Sequence, residues 1–216
     1  MSDDLIFREV DEDVRRERLE AAWKKYGGLA LAGALLIVAI VAGSVYWKDY
    51  QKSEREGQGS QFEAAGLLMA QGNATEAASA FEQLAAEGNA GYQVLAALQA
   101  AEARAAAGAT DEALAAYDRL LQAGTGSAAQ QDVIRLKAAL LALEAKGGEA
   151  ALQRLGDLAE GNSTFRNAAR EVKASALLSS GDRSGAIAEL KAIAEDSSAT
   201  PLQRDRVSRF LLALGG

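Results

Sequence analysis

Two hydrophobic patterns divide the 216-residue chain. Residues 26–47 read YGGLALAGALLIVAIVAGSVYW, 22 positions without a charge. From residue 61 onward, apolar positions instead recur every three to four residues in short segments closed by glycine or polar turns. As a helix rising about 1.5 Å per residue, the first pattern extends about 33 Å, against a bilayer hydrocarbon core of about 30 Å. It predicts a transmembrane helix over 26–47. Trp23, Tyr26, Tyr46, Trp47 and Tyr50 stand at its ends, at headgroup level, and Lys24, Lys25 and Lys48 lie just outside. The competing readings are a buried core helix and a cleaved signal peptide, for which Ala42-Gly43-Ser44 offers a small-residue site. A long acidic segment before the run, and a run longer than a typical signal core, favour a retained anchor. Arg8, Arg15, Arg16, Arg18, Lys24 and Lys25 precede the span and only Lys48, Lys52 and Arg55 follow closely, so the N-terminus is expected in the cytoplasm and the long C-terminal part outside.

Residues 1–25 are then a cytoplasmic charged segment, in which Asp11 with Arg15, Glu12 with Arg16 and Glu20 with Lys24 are acid-before-base pairs one turn apart. Residues 48–60, KDYQKSEREGQGS, read as a juxtamembrane linker, and 61–216 as the outer domain.

That outer domain repeats. Three blocks align on Gly72, Gly108 and Gly181 without gaps. Seven positions before each glycine stands Ala65, Ala101 or Ala174; five after, Ala77, Ala113 or Ala186; nine after, Phe81, Tyr117 or Leu190; twelve after, Leu84, Leu120 or Ile193. A small residue on each helix with a bulky one a turn further on is what two closely packed antiparallel helices need. The unit between Gly108 and Gly181 turns at Gly147-Gly148, and its second helix fits only after a one-residue shift. The pattern resembles the tetratricopeptide repeat, although the proline that usually ends a repeat is replaced by Asn89, Thr125 and Ser198. The expected fold is all-α: one transmembrane helix, a degenerate solenoid of four hairpins, and a C-terminal capping helix. The expected helices are 60–71, 74–87, 91–107, 110–123, 127–146, 148–159, 164–180, 183–196 and 201–213. In the last, Thr200-Pro201 is a cap and first-turn pair, and Val207, Phe210 and Leu211 form the covering face.

Composition narrows the chemistry. Cysteine and histidine are absent, which removes thiol or imidazole nucleophiles, Cys/His zinc sites and histidine proton shuttles. The net charge is −7 with no basic stripe, so no nucleic-acid footprint is expected. No phosphate-cradling loop or catalytic constellation is present, and neither an enzyme, a cofactor, a metal nor a small-molecule substrate is expected.

Within an acidic chain, Arg166, Arg170 and Lys173 share a helix face and are candidate contacts for an acidic partner segment, with Glu171, Asp182 or Glu189 near enough to neutralise them. Inside the span, Ala30 with Ala34 and Ala39 with Gly43 are small residues four apart, a spacing that allows close helix approach in lipid; Ala39 and Gly43 are the candidate packing pair. Phe62, Tyr92 and Phe165 read as core residues.

As a whole, the charged N-terminal segment, the span leaving the membrane through Tyr46-Trp47, YQVLAALQAA with Tyr92, Leu95, Ala96, Leu98 and Ala101, and ALLSSGDRSGA over 176–186 resemble the bacterial YfgM-like ancillary subunits of the Sec translocon. The resemblance implies a single-pass inner-membrane protein with a periplasmic domain, acting chaperone-like beside the secretion channel with a periplasmic chaperone and exported polypeptides as partners. The alternative is an assembly factor or accessory subunit of another inner-membrane complex.

Overall fold

The computed structural model describes the backbone of residues 3–215 and the side chains of 24–25, 36–52, 56–89 and 91–215. The described residues form helices only: α1 Asp3–Ala70, α2 Ala74–Glu87, α3 Ala90–Ala106, α4 Thr110–Ala123, α5 Ala128–Lys146, α6 Gly148–Leu155, α7 Arg166–Ser179, α8 Arg183–Glu195 and α9 Pro201–Ala213. The chain divides into two compact units, Met1–Glu56 and Gly57–Gly216.

In the first unit, the charged pairs of 1–25 and residues 26–35 of the expected span lie outside the described side chains. Among the described residues no helix is long and apolar enough to cross a membrane. Leu36, Ile37, Val38, Ile40, Val41 and Val45 of the remaining stretch are all exposed. Ala39 and Gly43 are exposed as well, and nothing lies within 4 Å of where a Gly43 Cβ would stand. The segment 48–60, expected as a juxtamembrane linker that is helical in its first half, is helical throughout as part of α1. It contains no proline, and its two glycines cost a helix only about 1 kcal/mol each relative to alanine. The division between units falls within this segment.

The second unit is a stack of antiparallel hairpins, the end of α1 with α2, α3 with α4, α5 with α6 and α7 with α8, closed by α9. Three of the hairpins turn identically. At each, the glycine N–H bonds the carbonyl three residues back and the next N–H bonds the carbonyl five back: Gly72 to Met69 with Asn73 to Leu68, Gly108 to Ala105 with Ala109 to Arg104, and Gly181 to Leu178 with Asp182 to Leu177. This closure needs a left-handed residue, and the glycines have φ of 82°, 81° and 85°.

The aligned small and bulky positions are the core. Ala65, Ala101 and Ala174, then Ala77, Ala113 and Ala186, then Phe81, Tyr117 and Leu190 are all buried; Leu84 and Ile193 are buried too, while Leu120 is half-buried. In the third hairpin the matching positions are Ala139, Ala151, Leu155 and Leu158, each one residue earlier in the chain than the same offset from Gly147 would place it. Ala139 and Ala151 are 12 residues apart, as are Ala65 and Ala77, so the packing register is kept and only the turn glycine is displaced; Gly147 alone joins α5 to α6, whereas three residues join the other pairs. Helix α6 also ends at Leu155, short of the expected 159, because Gly156 (φ 56°) starts a run of turns.

Helix α9 is capped as expected. Thr200 accepts from the Gln203 N–H at 3.2 Å, and the Gln203 side chain accepts from the Thr200 N–H at 2.9 Å. Val207 is fully buried with Leu190 and Ile193, and Leu211 packs beside them. Phe210, expected on that covering face, is instead exposed.

Candidate interaction site

Helix α7 carries Arg166, Arg170 and Lys173 toward α8, and each meets carboxylates of the same chain. Arg166 Nη2 lies 2.6 Å from Asp196 Oδ2. Arg170 donates Nε to the Ala159 carbonyl at 3.1 Å and stands 3.8 Å from both Glu189 and Asp196. Lys173 Nζ lies 2.5 Å from Glu160 and 2.7 Å from Glu189. Burial works to lower the Lys173 pKa, but hydrogen bonds with Glu160 and Glu189 and their charges outweigh it and raise it. The Asp196 carboxyl is held well below the usual carboxylate range, first by the Ser198 hydroxyl and N–H and then by Arg166. The three bases therefore share a face, and they are neutralised within the fold by Glu160, Glu189 and Asp196. Of these acids only Glu189 was anticipated; Glu171 binds Arg206 at 2.6 Å and Asp182 caps α8 through the Gly185 N–H at 2.9 Å.

A different surface is open. A groove of about 480 Å³ runs between α2 and α4 over α3, with Ala85, Val94, Ala97, Ala116 and Leu120 among its walls. Its polar members are Glu82, Arg104 and Arg119 with Gln93 and Thr125. Glu82 and Arg104 pair at 2.7 Å, whereas Arg119 is exposed and has no carboxylate partner among the described residues. Alanines leave the groove unfilled because they extend only one carbon from the backbone. The sequence signal was present, as alanines outside the repeat-core positions, but their composition alone does not distinguish a groove from tight helix packing.

A second polar motif involves Asn89 and Ser198, two of the residues that stand where a repeat proline would. Gln58 Oε1 accepts from the Asn89 N–H and side-chain amide at 3.1 and 2.6 Å, Ser163 Oγ donates to Asp132 at 2.6 Å, and the Asn167 amide donates to Ser198 Oγ at 3.3 Å. Each pair is 31 residues apart. A polar residue before the next helix is thus anchored back to the helix that opens its hairpin. In the second hairpin the corresponding residues are Val94 and Thr125, and there the groove opens instead.

The model of the tetratricopeptide repeat-like domain family matches residues 21–210. The chain belongs to this family. The tetratricopeptide repeat-like match takes in the uncharged stretch 26–47 as well as all four hairpins. Such repeat-like domains are typically non-catalytic modules for protein–protein interaction, and protein partners follow from membership in general terms. Neither a curated protein nor a solved structure matches the chain.

Proposed function

We propose that this protein is a membrane-tethered interaction module that acts chaperone-like at the Sec translocon, its hairpin domain on the periplasmic side of the inner membrane. The observation that carries the binding half of this reading is the α2–α3–α4 groove. Its alanine walls leave room for a partner's apolar side chains, and the unpaired Arg119 beside them favours a segment that also bears a carboxylate. We take the occupant to be an unfolded stretch of an exported polypeptide. Support for the tether is the uncharged run 26–47 and the excess of Lys and Arg before it. Tethering would raise the local concentration of the module where chains emerge, so individually weak contacts would still be productive.

Two measurements test the proposal. A reporter fused to the C-terminus and active only outside the cytoplasm should be active; a silent, cytosol-accessible fusion rejects the topology. Crosslinking in mild detergent should recover channel subunits and nascent secreted chains. Stoichiometric recovery of another inner-membrane complex, with no labelled nascent chain, would replace the proposal with an accessory-subunit role.

A further inference from the structure

Helix α9 closes the stack, and the outer face of a closing helix is ordinarily polar, which keeps a solenoid soluble. The outer face of α9 departs from this. Leu202 is 69% exposed and Leu212 78%, the two most exposed large hydrophobic side chains among the described residues of the second unit. Between them in the chain stand Asp205 and Arg209, paired within the helix at 2.9 Å and both largely exposed.

These four residues are placed symmetrically about the buried Val207. Asp205 and Arg209 stand two positions to either side of it, and Leu202 and Leu212 five positions to either side. At about 100° per residue all four fall within about 40° of the side opposite Val207, so they form one stripe along the helix. Their spacing of three, four and three residues is that of a seam by which two helices pack. Arg206, at the margin of the stripe, is already held by Glu171 at 2.6 Å.

A stripe with this symmetry fits itself. Turned end for end about a two-fold axis through Val207, it brings Leu202 onto the partner's Leu212 and Asp205 onto the partner's Arg209, each contact made twice, as a two-fold interface requires. Laid in the same direction, it would set Asp205 against the partner's Asp205 and Arg209 against the partner's Arg209. The charges therefore select the antiparallel arrangement, and the leucines supply apolar contact at its two ends. In one chain the Asp205–Arg209 pair is a solvated contact between neighbouring turns, which contributes little. Between two helices the same groups become a ring of four charges, alternating in sign.

We infer that α9 docks antiparallel on α9 of a second copy of this chain, through Leu202, Asp205, Arg209 and Leu212. Each side offers one 13-residue helix, less than the interface of a permanent dimer, so the association is reversible. The contact uses no residue of the α2–α3–α4 groove and does not depend on what that groove binds.

The absence of cysteine from the chain permits a directional test. Full-length Leu202→Cys and Leu212→Cys proteins in mild detergent are treated with diamide, separately and as an equimolar mixture. The mixture should give a disulfide dimer containing one chain of each kind. Neither variant alone should crosslink, because each substituted position lies about 15 Å along the axis from its own copy, beyond disulfide reach. Asp205→Arg in both chains should cut the mixed crosslink about tenfold. Asp205→Arg in one chain and Arg209→Asp in the other should restore it, since one partner then carries two arginines and the other two aspartates. All four positions are exposed, so helix content and thermal stability should hold in every variant. Crosslinking of either variant with itself, or a mixed crosslink indifferent to the charge changes, would overturn the inference. So would the absence of a mixed crosslink: with Leu212→Cys open to maleimide α9 is a bare cap, and with it shielded a different partner covers the face.

Discussion

Arg154 of α6 forks onto Asp118 of α4, with Nε 3.2 Å from Oδ1 and Nη2 2.8 Å from Oδ2, across a sequence separation of 36 residues. That separation is one repeat, so the pair ties the second helices of adjacent hairpins together. Both side chains are about a quarter to a third exposed, at 22% and 35%, which tempers the electrostatic gain. A double-mutant cycle of Arg154→Ala and Asp118→Ala should give a coupling of about 1 kcal/mol in urea unfolding, reduced by added salt. A coupling near zero would show that the fork is incidental to the stacking.

Gly148 is buried at the first position of α6, where an added Cβ would meet the Ala176 carbonyl and the Ser179 hydroxyl of α7 and the hydroxyl of Ser180 just after it. Gly148→Ala should therefore destabilise the domain by about 1–3 kcal/mol in denaturant titration, because a carbonyl within a helix cannot move aside as a flexible side chain can. Gly66→Ala, where nothing lies within 4 Å, is the control expected to be neutral or slightly stabilising.

Val207 is the fully buried anchor of the closing helix. Val207→Ala removes two carbons from a filled site and should cost about 2 kcal/mol. Each repeat of a solenoid leans on its neighbours, so hydrogen exchange should accelerate first in α8 and α9 and least in α2. Uniform acceleration would mean that the stack unfolds as one unit.

The seam between α7 and α8 makes stability depend on pH at both extremes. Asp196 has a lowered pKa in the fold, so its contribution is present above the ordinary carboxylate value of about 3.9 and is lost as pH falls through the still lower folded value. Lys173 has a raised pKa, so its contribution is present below about 10.4 and is lost as pH rises through the higher folded value. Asp196→Asn should flatten the acid limb of a stability–pH profile, and Lys173→Met the alkaline limb. Unchanged limbs would remove the seam from the account.

Ala97 is half-buried in the wall of the apolar groove. Ala97→Leu should fill part of the groove at a stability change within about 0.5 kcal/mol and sharply reduce crosslinking to unfolded polypeptide. Arg119→Glu should reduce it selectively for acidic segments. Retained crosslinking in both variants would place polypeptide binding elsewhere on the domain.

The periodic glycines, alanines and aromatics by themselves determine the hairpins. Each encodes a local requirement, either a left-handed residue at the turn or a small one at closest helix approach, and in the third hairpin Ala151, Leu155 and Leu158 keep even the one-residue shift. The uncharged run 26–47 is likewise a property of the sequence. What the sequence left open was which charges meet and where the surface opens. Arg166, Arg170 and Lys173 are visible as a shared face, but Glu160 and Asp196 reach them from turns outside that helix, so the neutrality of the cluster comes from the packing of α7 on its neighbours. Val94 and Asn167 differ by one side chain at the same repeat position; only the stacking of three helices around each makes one the wall of an apolar groove and leaves the other as a buried amide without a full set of partners.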